Sequence, residues 1–257
     1  MLFFKQRFVF SGNQKALRLR FKQSAFAIFP NNNSKQMKST SLIYFLAALG
    51  IVLLTAYVAT EKTGKQEPTF KEVKIGNQIW MAENLRITHF RNGEPIPYIH
   101  SGRGSAWENA SRADQPAYCY LHFNRSNHDK YGIIYNWYAI FDPRGLAPEG
   151  WRIPTEEDWA VLIEYLGGQE VAGAKLKSTT GWENDTNATN QSGFGALPGG
   201  FLNFKGQFDR SGIYSLWAVS PSNASSSIVY SLSSGKENIT LGRTPRGTGR
   251  YVRLIKE

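Results

Sequence analysis

The chain has 257 residues, 41% of them apolar, with 16 Phe, 12 Tyr and 7 Trp, a composition that supports a packed core and excludes a disordered chain. Its formal charge of +10 is local: eight of the 30 cations fall within residues 1–40, where no acid occurs, leaving 22 cations against 20 acids in the rest. That near-neutral remainder excludes a basic surface for DNA or RNA.

Residues 1–40 read as a basic tail. Met37 opens MKSTSLIYFLAALG, a short basic start before an apolar run, so residues 1–36 read either as an over-long translation start or as an amphipathic helix on a membrane surface. Residues 41–59 (SLIYFLAALGIVLLTAYVA) carry no charge and match the ~30 Å hydrocarbon thickness at 1.5 Å per residue. They predict a transmembrane helix, with the preceding cations holding the N-terminus in the cytoplasm and sending the rest to the extracytoplasmic side. A cleavage site wants small residues at its last and third-last positions; Tyr57 and Leu54 fill the third-last place, so an uncleaved anchor is expected. No cysteine follows the apolar run, which argues against a lipoprotein. Residues 60–69 form a polar linker, and residues 70–257 a single domain.

Within that domain, VKIGNQIWM (73–81) alternates apolar and polar residues about Gly76-Asn77 and predicts a hairpin. Residues 89–116 are rich in Gly, Pro, Ser and Asn and read as loops. The aromatic run YGIIYNWYAIF (131–141) reads as a short helix. At Thr155 an N-cap precedes three acids, Glu156, Glu157 and Asp158, where negative charge suits the helix dipole. Trp159, Leu162, Ile163 and Leu166 then share one helical face, and Gly167-Gly168 closes the helix. A second helix is expected at 171–177. Beyond Gly181, short apolar runs at 201–204, 207–210, 214–219, 227–232, 238–241 and 251–255 predict antiparallel strands. The class is α+β, with helices early and a twisted sheet late.

Six ordered stretches carry a resemblance: IGNQIWMAENL (75–85), AYCY (117–120), YGIIYNWYAI (131–140), APEGWRIPTEEDWAVLIEYLGG (147–168), AGAKLKSTTGW (172–182) and SGFGALPGGF (192–201). Together they resemble the Fibrobacter succinogenes major paralogous domain, a bacterial family of secreted, often lipid-anchored proteins without an assigned activity. GWRIPTEEDW (150–159) also resembles the RLPTEAEW segment of formylglycine-generating enzymes and their sulfatase-modifying relatives. That second resemblance implies a C-type-lectin-like fold: helices on a twisted antiparallel sheet, with long loops. It does not carry function. Related domains often read LCPxGW and VRCV where this chain has Ala147 and Leu254. The resemblance therefore implies that Ala147 and Leu254 face each other in place of a disulfide.

No catalytic residue is assigned. The sulfatase-modifying chemistry uses two cysteines, and this chain has only Cys119, read as a small buried hydrophobe. His122 and His128, six apart, lack the spacing of a zinc pair. Glu183, Asn184, Asp185 and Asn187 offer oxygens of the kind calcium takes, and equally form turns in a surface loop. Trp80, Trp137, Trp151 and Trp159 lie in patterned segments and read as core. Trp107, Trp182 and Trp217 border polar loops and are the candidates for stacking on a sugar. Arg152 reads as the partner of a carboxylate beneath the helix cap. The expected function is a non-enzymatic, envelope-anchored domain binding a glycan or protein partner. The alternative is an enzyme derived from the sulfatase-modifying fold with a non-cysteine chemistry.

Overall fold

The computed structural model describes residues 69–220 and 227–257, together with Ala48. The chain divides into two units, Met1–Glu67 and Pro68–Glu257. In the second, β1 (Glu72–Ile75) and β2 (Gln78–Met81) pair antiparallel with Ile75 opposite Gln78. Gly76 supplies the positive φ (+60°) that so tight a turn requires. Helix α1 (Ala106–Arg112) precedes β3 (Tyr118–Cys119), two single 3₁₀ turns (Leu121–Phe123 and Arg125–Asn127) and the one-turn α2 (His128–Tyr131).

The aromatic run expected as one helix divides. Ile134–Tyr135 forms β4, paired with β3, and Trp137–Ile140 forms the one-turn α3. Asn136 separates them. Its extended backbone ends the strand, and its side chain accepts a hydrogen bond from Ala139 N–H to cap the helix.

After β5 (Trp151–Arg152) comes α4 (Glu156–Tyr165) with the expected cap. Thr155 Oγ1 accepts from Asp158 N–H at 3.2 Å, and the Asp158 carboxylate accepts from Thr155 N–H at 2.7 Å, a reciprocal capping box. Arg152 clamps the same carboxylate with two guanidinium N–H groups, one at 2.8 Å. Burial pushes the Asp158 carboxyl up, but Arg152 and Thr155 outweigh it and hold its pKa below the usual value. Helix α5 (Gln169–Leu176) follows after Gly167-Gly168. The strands β6 (Phe201–Leu202), β7 (Phe208–Asp209), β8 (Tyr214–Ala218), β9 (Ile228–Ser233), β10 (Thr240–Arg243) and β11 (Ile255–Lys256) complete the domain.

The expected architecture needs correction on two counts. In place of one continuous sheet, the described residues form a four-stranded sheet (β1-β2-β11-β5), a three-stranded sheet (β10-β9-β8) and two ribbons, β3-β4 and β6-β7. Strands of two to six residues, cut by Gly and Asn turns, are too short to extend further. Second, no helix among the described residues is long and apolar enough to cross a membrane. The longest, α4, has ten residues and spans about 15 Å against the ~30 Å needed. The expected span 41–59 lies outside the described residues except for Ala48.

What joins the four sheets is the segment 249–256. Gly249 bridges Leu202, Arg250 bridges Tyr135, Tyr251 bridges Trp217, and Ile255 pairs with both Trp80 and Arg152. One contiguous stretch thus touches all four sheets. Around it lie two apolar clusters. The larger centres on Trp80, Trp159, Phe194 and Trp217, whose rings meet at 5.1–6.1 Å in tilted and edge-on geometries. The smaller gathers Met81, Leu85, Tyr118, Tyr135, Leu146, Ala147, Trp151 and Leu254. Ala147 and Leu254 are both buried there. Two arginines of the joining segment, Arg250 and Arg253, are buried on backbone carbonyls and side-chain oxygens, with no carboxylate bonded among the described residues. Burial brings the pKa of each down to about 9.

Candidate functional site

The three tryptophans expected at the surface are core residues. Trp107, Trp182 and Trp217 are 1%, 8% and 0% exposed. Each indole N–H finds an internal acceptor: Gly247 O at 2.7 Å, Ala196 O at 2.9 Å and Asn84 Oδ1 at 2.9 Å. Polar loops border these residues because the loops fold over the rings and supply those acceptors. Among them Trp182 directly precedes Glu183, which lines an opening in the surface.

That opening begins at the loop once read for calcium. Lys177, the extended residue that follows α5, and Asp185 have fully covered side chains and form a salt bridge. The ammonium also donates to Lys236 O at 2.7 Å and Ser233 O at 3.3 Å, and it stands 5.4 Å from the centre of the Trp182 ring. Burial raises the Asp185 carboxyl, but Lys177 and the backbone amides of Asn187 and Gly235 outweigh it and hold it below the usual carboxylate range. Asp185 is therefore the counter-ion of a buried lysine. Asn187 gives it a backbone N–H at 2.9 Å. Glu183 and Asn184 are exposed. Among the described residues no group of three or more His, Cys, Asp or Glu is placed to hold a metal.

Over this ion pair lies a groove of about 350 Å³, open to solvent, lined by Glu183, Asn184, Arg210, Ile213, Tyr214 and the turn Ser233–Gly235. Its rims are tied by two backbone bonds, Glu183 N–H to Gly212 O at 2.9 Å and Ser234 N–H to Ile213 O at 2.8 Å, and by the side-chain bond from Ser234 Oγ–H to Glu183 O. Asn184 and Arg210 adopt positive φ (+52° and +56°), uncommon for residues with a Cβ and concentrated where loops are held for a purpose. The Arg210 guanidinium lies 5.5 Å from the Tyr214 ring centre, and Phe201 supports that ring edge-on at 5.8 Å. Ile213 is 42% exposed. Among the described residues neither Glu183 nor Arg210 forms a salt bridge. The groove thus offers one aromatic face, one aliphatic edge, a carboxylate and a guanidinium on a rigid frame.

Sequence reasoning found Glu183, Asn184 and Asp185 and missed Arg210, Ile213 and Tyr214. Arg210 and Tyr214 were read only as strand ends, with Ile213 in the gap between the two strands. The one local signal was RSGIY (210–214), where a cation, a glycine turn and an aromatic occur together. Elsewhere, Cys119 is fully buried and burial pushes its thiol pKa well up, as befits an inert core residue. His122 packs on Phe208 and His128 bonds Asp129, so the two histidines serve different neighbours.

The model of the Fibrobacter succinogenes major domain matches residues 73–256. No curated protein and no solved structure matches the chain.

Proposed function

The chain belongs to the Fibrobacter succinogenes major domain family, and on that premise we propose that it is a non-enzymatic binding domain, acting outside the cytoplasm, whose ligand is a glycan. The carrying observation is the groove at Arg210, Tyr214 and Glu183. An aromatic ring takes the apolar face of a sugar, while a guanidinium and a carboxylate each read a pair of adjacent hydroxyls by two parallel hydrogen bonds. The tied rims mean that little ordering remains to oppose binding. An enzyme would concentrate acid and base groups in a deep enclosed site; this groove is open, with its carboxylate exposed.

The test is titration of the full chain with neutral oligosaccharides of different linkage, alongside Tyr214→Ala and Arg210→Ala. Saturable binding weakened about tenfold or more by either change, with unaltered melting, supports the reading. Equal binding by all three proteins would refute it. So would retention of a protein partner, and of no glycan, on the wild-type chain.

A further inference from the structure

On another part of the domain, a second recess of about 280 Å³ opens between β1, the end of α4 and the segment after Asn190. It is lined by Lys74, Ile75, Tyr165, Leu166, Lys175, Gln191 and Ser192, with no acid among them. Two cations in a lining without an acid are unusual in a domain whose charges otherwise balance. Lys175 is fixed: its ammonium donates to Leu166 O at 2.7 Å, neutralising the carbonyl end of α4 and leaving two N–H groups to give. Lys74 sits on the outward side of β1, exposed, while its neighbour Ile75 is buried.

The third component is Tyr165, 64% exposed, the most open of the large apolar side chains among the described residues. Its ring lies against Gly76: a Cβ there would come within 2.9 Å of Tyr165 Cδ2. The hairpin glycine therefore serves the turn and also seats the ring, holding one face down and leaving the rest to solvent. Ser192 is already committed, donating to Lys175 O at 2.7 Å and accepting from Phe194 N–H at 3.1 Å. Gln191 is exposed and supplies an amide.

We propose that this recess binds an acidic sugar residue, a uronate within a polysaccharide. Tyr165 carries the sugar ring, Lys74 and Lys175 hold the carboxylate, and Gln191 reads a hydroxyl. A bare inorganic anion would use the lysines but not the ring, and a neutral sugar the ring but not the lysines. The site is independent of the Arg210 groove.

The experiment is calorimetric titration of the full chain with an oligogalacturonate, a neutral galactan oligosaccharide of equal length, and sodium sulfate. Lys74→Gln and Tyr165→Ala are the working variants, since both side chains are exposed and neither supports the core; Lys175→Gln is added with a melting control. The oligogalacturonate binds in preference, and its affinity falls with added salt, as for exposed charges. Lys74→Gln weakens it by about threefold to tenfold and Tyr165→Ala by about tenfold. Arg210→Ala leaves it unchanged. Binding of the neutral oligosaccharide that matches the oligogalacturonate and is weakened equally by Tyr165→Ala, full competition by sulfate at equal concentration, no binding of the oligogalacturonate, or indifference to both working variants would each overturn the proposal. Loss in Arg210→Ala alone would assign the acidic sugar to the other groove and overturn it equally.

Discussion

Removing the Asp185 carboxylate tests the reading of this loop most directly. In the native fold the Lys177 ammonium uses its three hydrogens on Asp185, Lys236 O and Ser233 O, with no water access to either charged side chain. Asp185→Ala leaves that ammonium on two carbonyls, one of them at 3.3 Å, with its charge uncompensated. Breaking a buried pair in this way costs about 3–5 kcal/mol. For a domain of this size each kcal/mol lowers the melting temperature by about 2–4 °C, so a fall of about 6–20 °C is expected. Asp185→Asn keeps an acceptor for Lys177 but leaves its charge uncompensated, so a smaller loss than that of Asp185→Ala is expected. Lys177→Met with Asp185→Leu removes both charges and should recover most of the loss, because apolar replacement of a whole buried pair is often neutral. Urea and thermal melts of the four proteins decide the matter. A loss below about 1 kcal/mol in Asp185→Ala, or a double variant no better than the single one, would show that the pair is not what holds the loop.

Other expectations follow from single contacts. Thr155→Ala removes half of the capping box and should cost about 1 kcal/mol, whereas Trp159→Ala empties the centre of the larger core and should cost about 3–5 kcal/mol; equal losses in urea melts would displace the helix start. Gly173→Ala places a methyl 2.4 Å from Asn238 O and 2.6 Å from Glu237 O, so α5 must lift from that loop, at about 1–3 kcal/mol in the same assay. Asp158 and Asp185 both have pKa values lowered on folding, so their stabilisation is complete above the unfolded value of about 4 and is lost as pH falls through their folded values. Melting temperatures measured from pH 7 to pH 2 should therefore drop below about pH 4, and less so in Lys177→Met/Asp185→Leu. Ala147→Cys with Leu254→Cys should oxidise to a disulfide without loss of stability, read by mass and by melting with and without reductant; two persistent thiols would separate these residues in the smaller core.

Two elements were legible because their signals are local, whereas the helix Ala106–Arg112, in a run read as loops, and the strand Ile134–Tyr135, in a run read as helix, were not. A two-residue Gly-Asn turn between alternating residues can form little but a hairpin. Thr155 followed by acids and by Trp159, Leu162, Ile163 and Leu166 specifies both the start and the buried face of α4. Arg152 under the cap was readable too, since an acid in the first helical turn, six residues from an arginine, is within its reach. The sheet arrangement was not legible: β6, β7 and β11 are two residues long, and their partners are chosen by tertiary packing rather than by pattern. The tryptophans misled for a related reason. A polar neighbourhood in sequence reads as exposure, yet each indole needs one acceptor, and loops rich in Gly and Asn supply it from inside. Arg210, Ile213 and Tyr214 escaped notice because a groove is made by three loops meeting, and no single loop records the other two.

The joining segment 249–256 has a consequence for when the domain can fold. Its bridges run to Leu202, Tyr135, Trp217, Trp80 and Arg152, partners that span most of the domain's length. Until those residues have left the ribosome, no two of the four sheets share their common strand, and the β1-β2 hairpin alone is too small to persist. Synthesis at about 5–20 residues per second gives the unfinished chain many seconds without its native core, with several Trp-bearing segments uncovered. A chain built this way cannot close its four sheets on one another until residues 249–256 have emerged. Its many long-range pairings also place its folding among the slower classes once it begins.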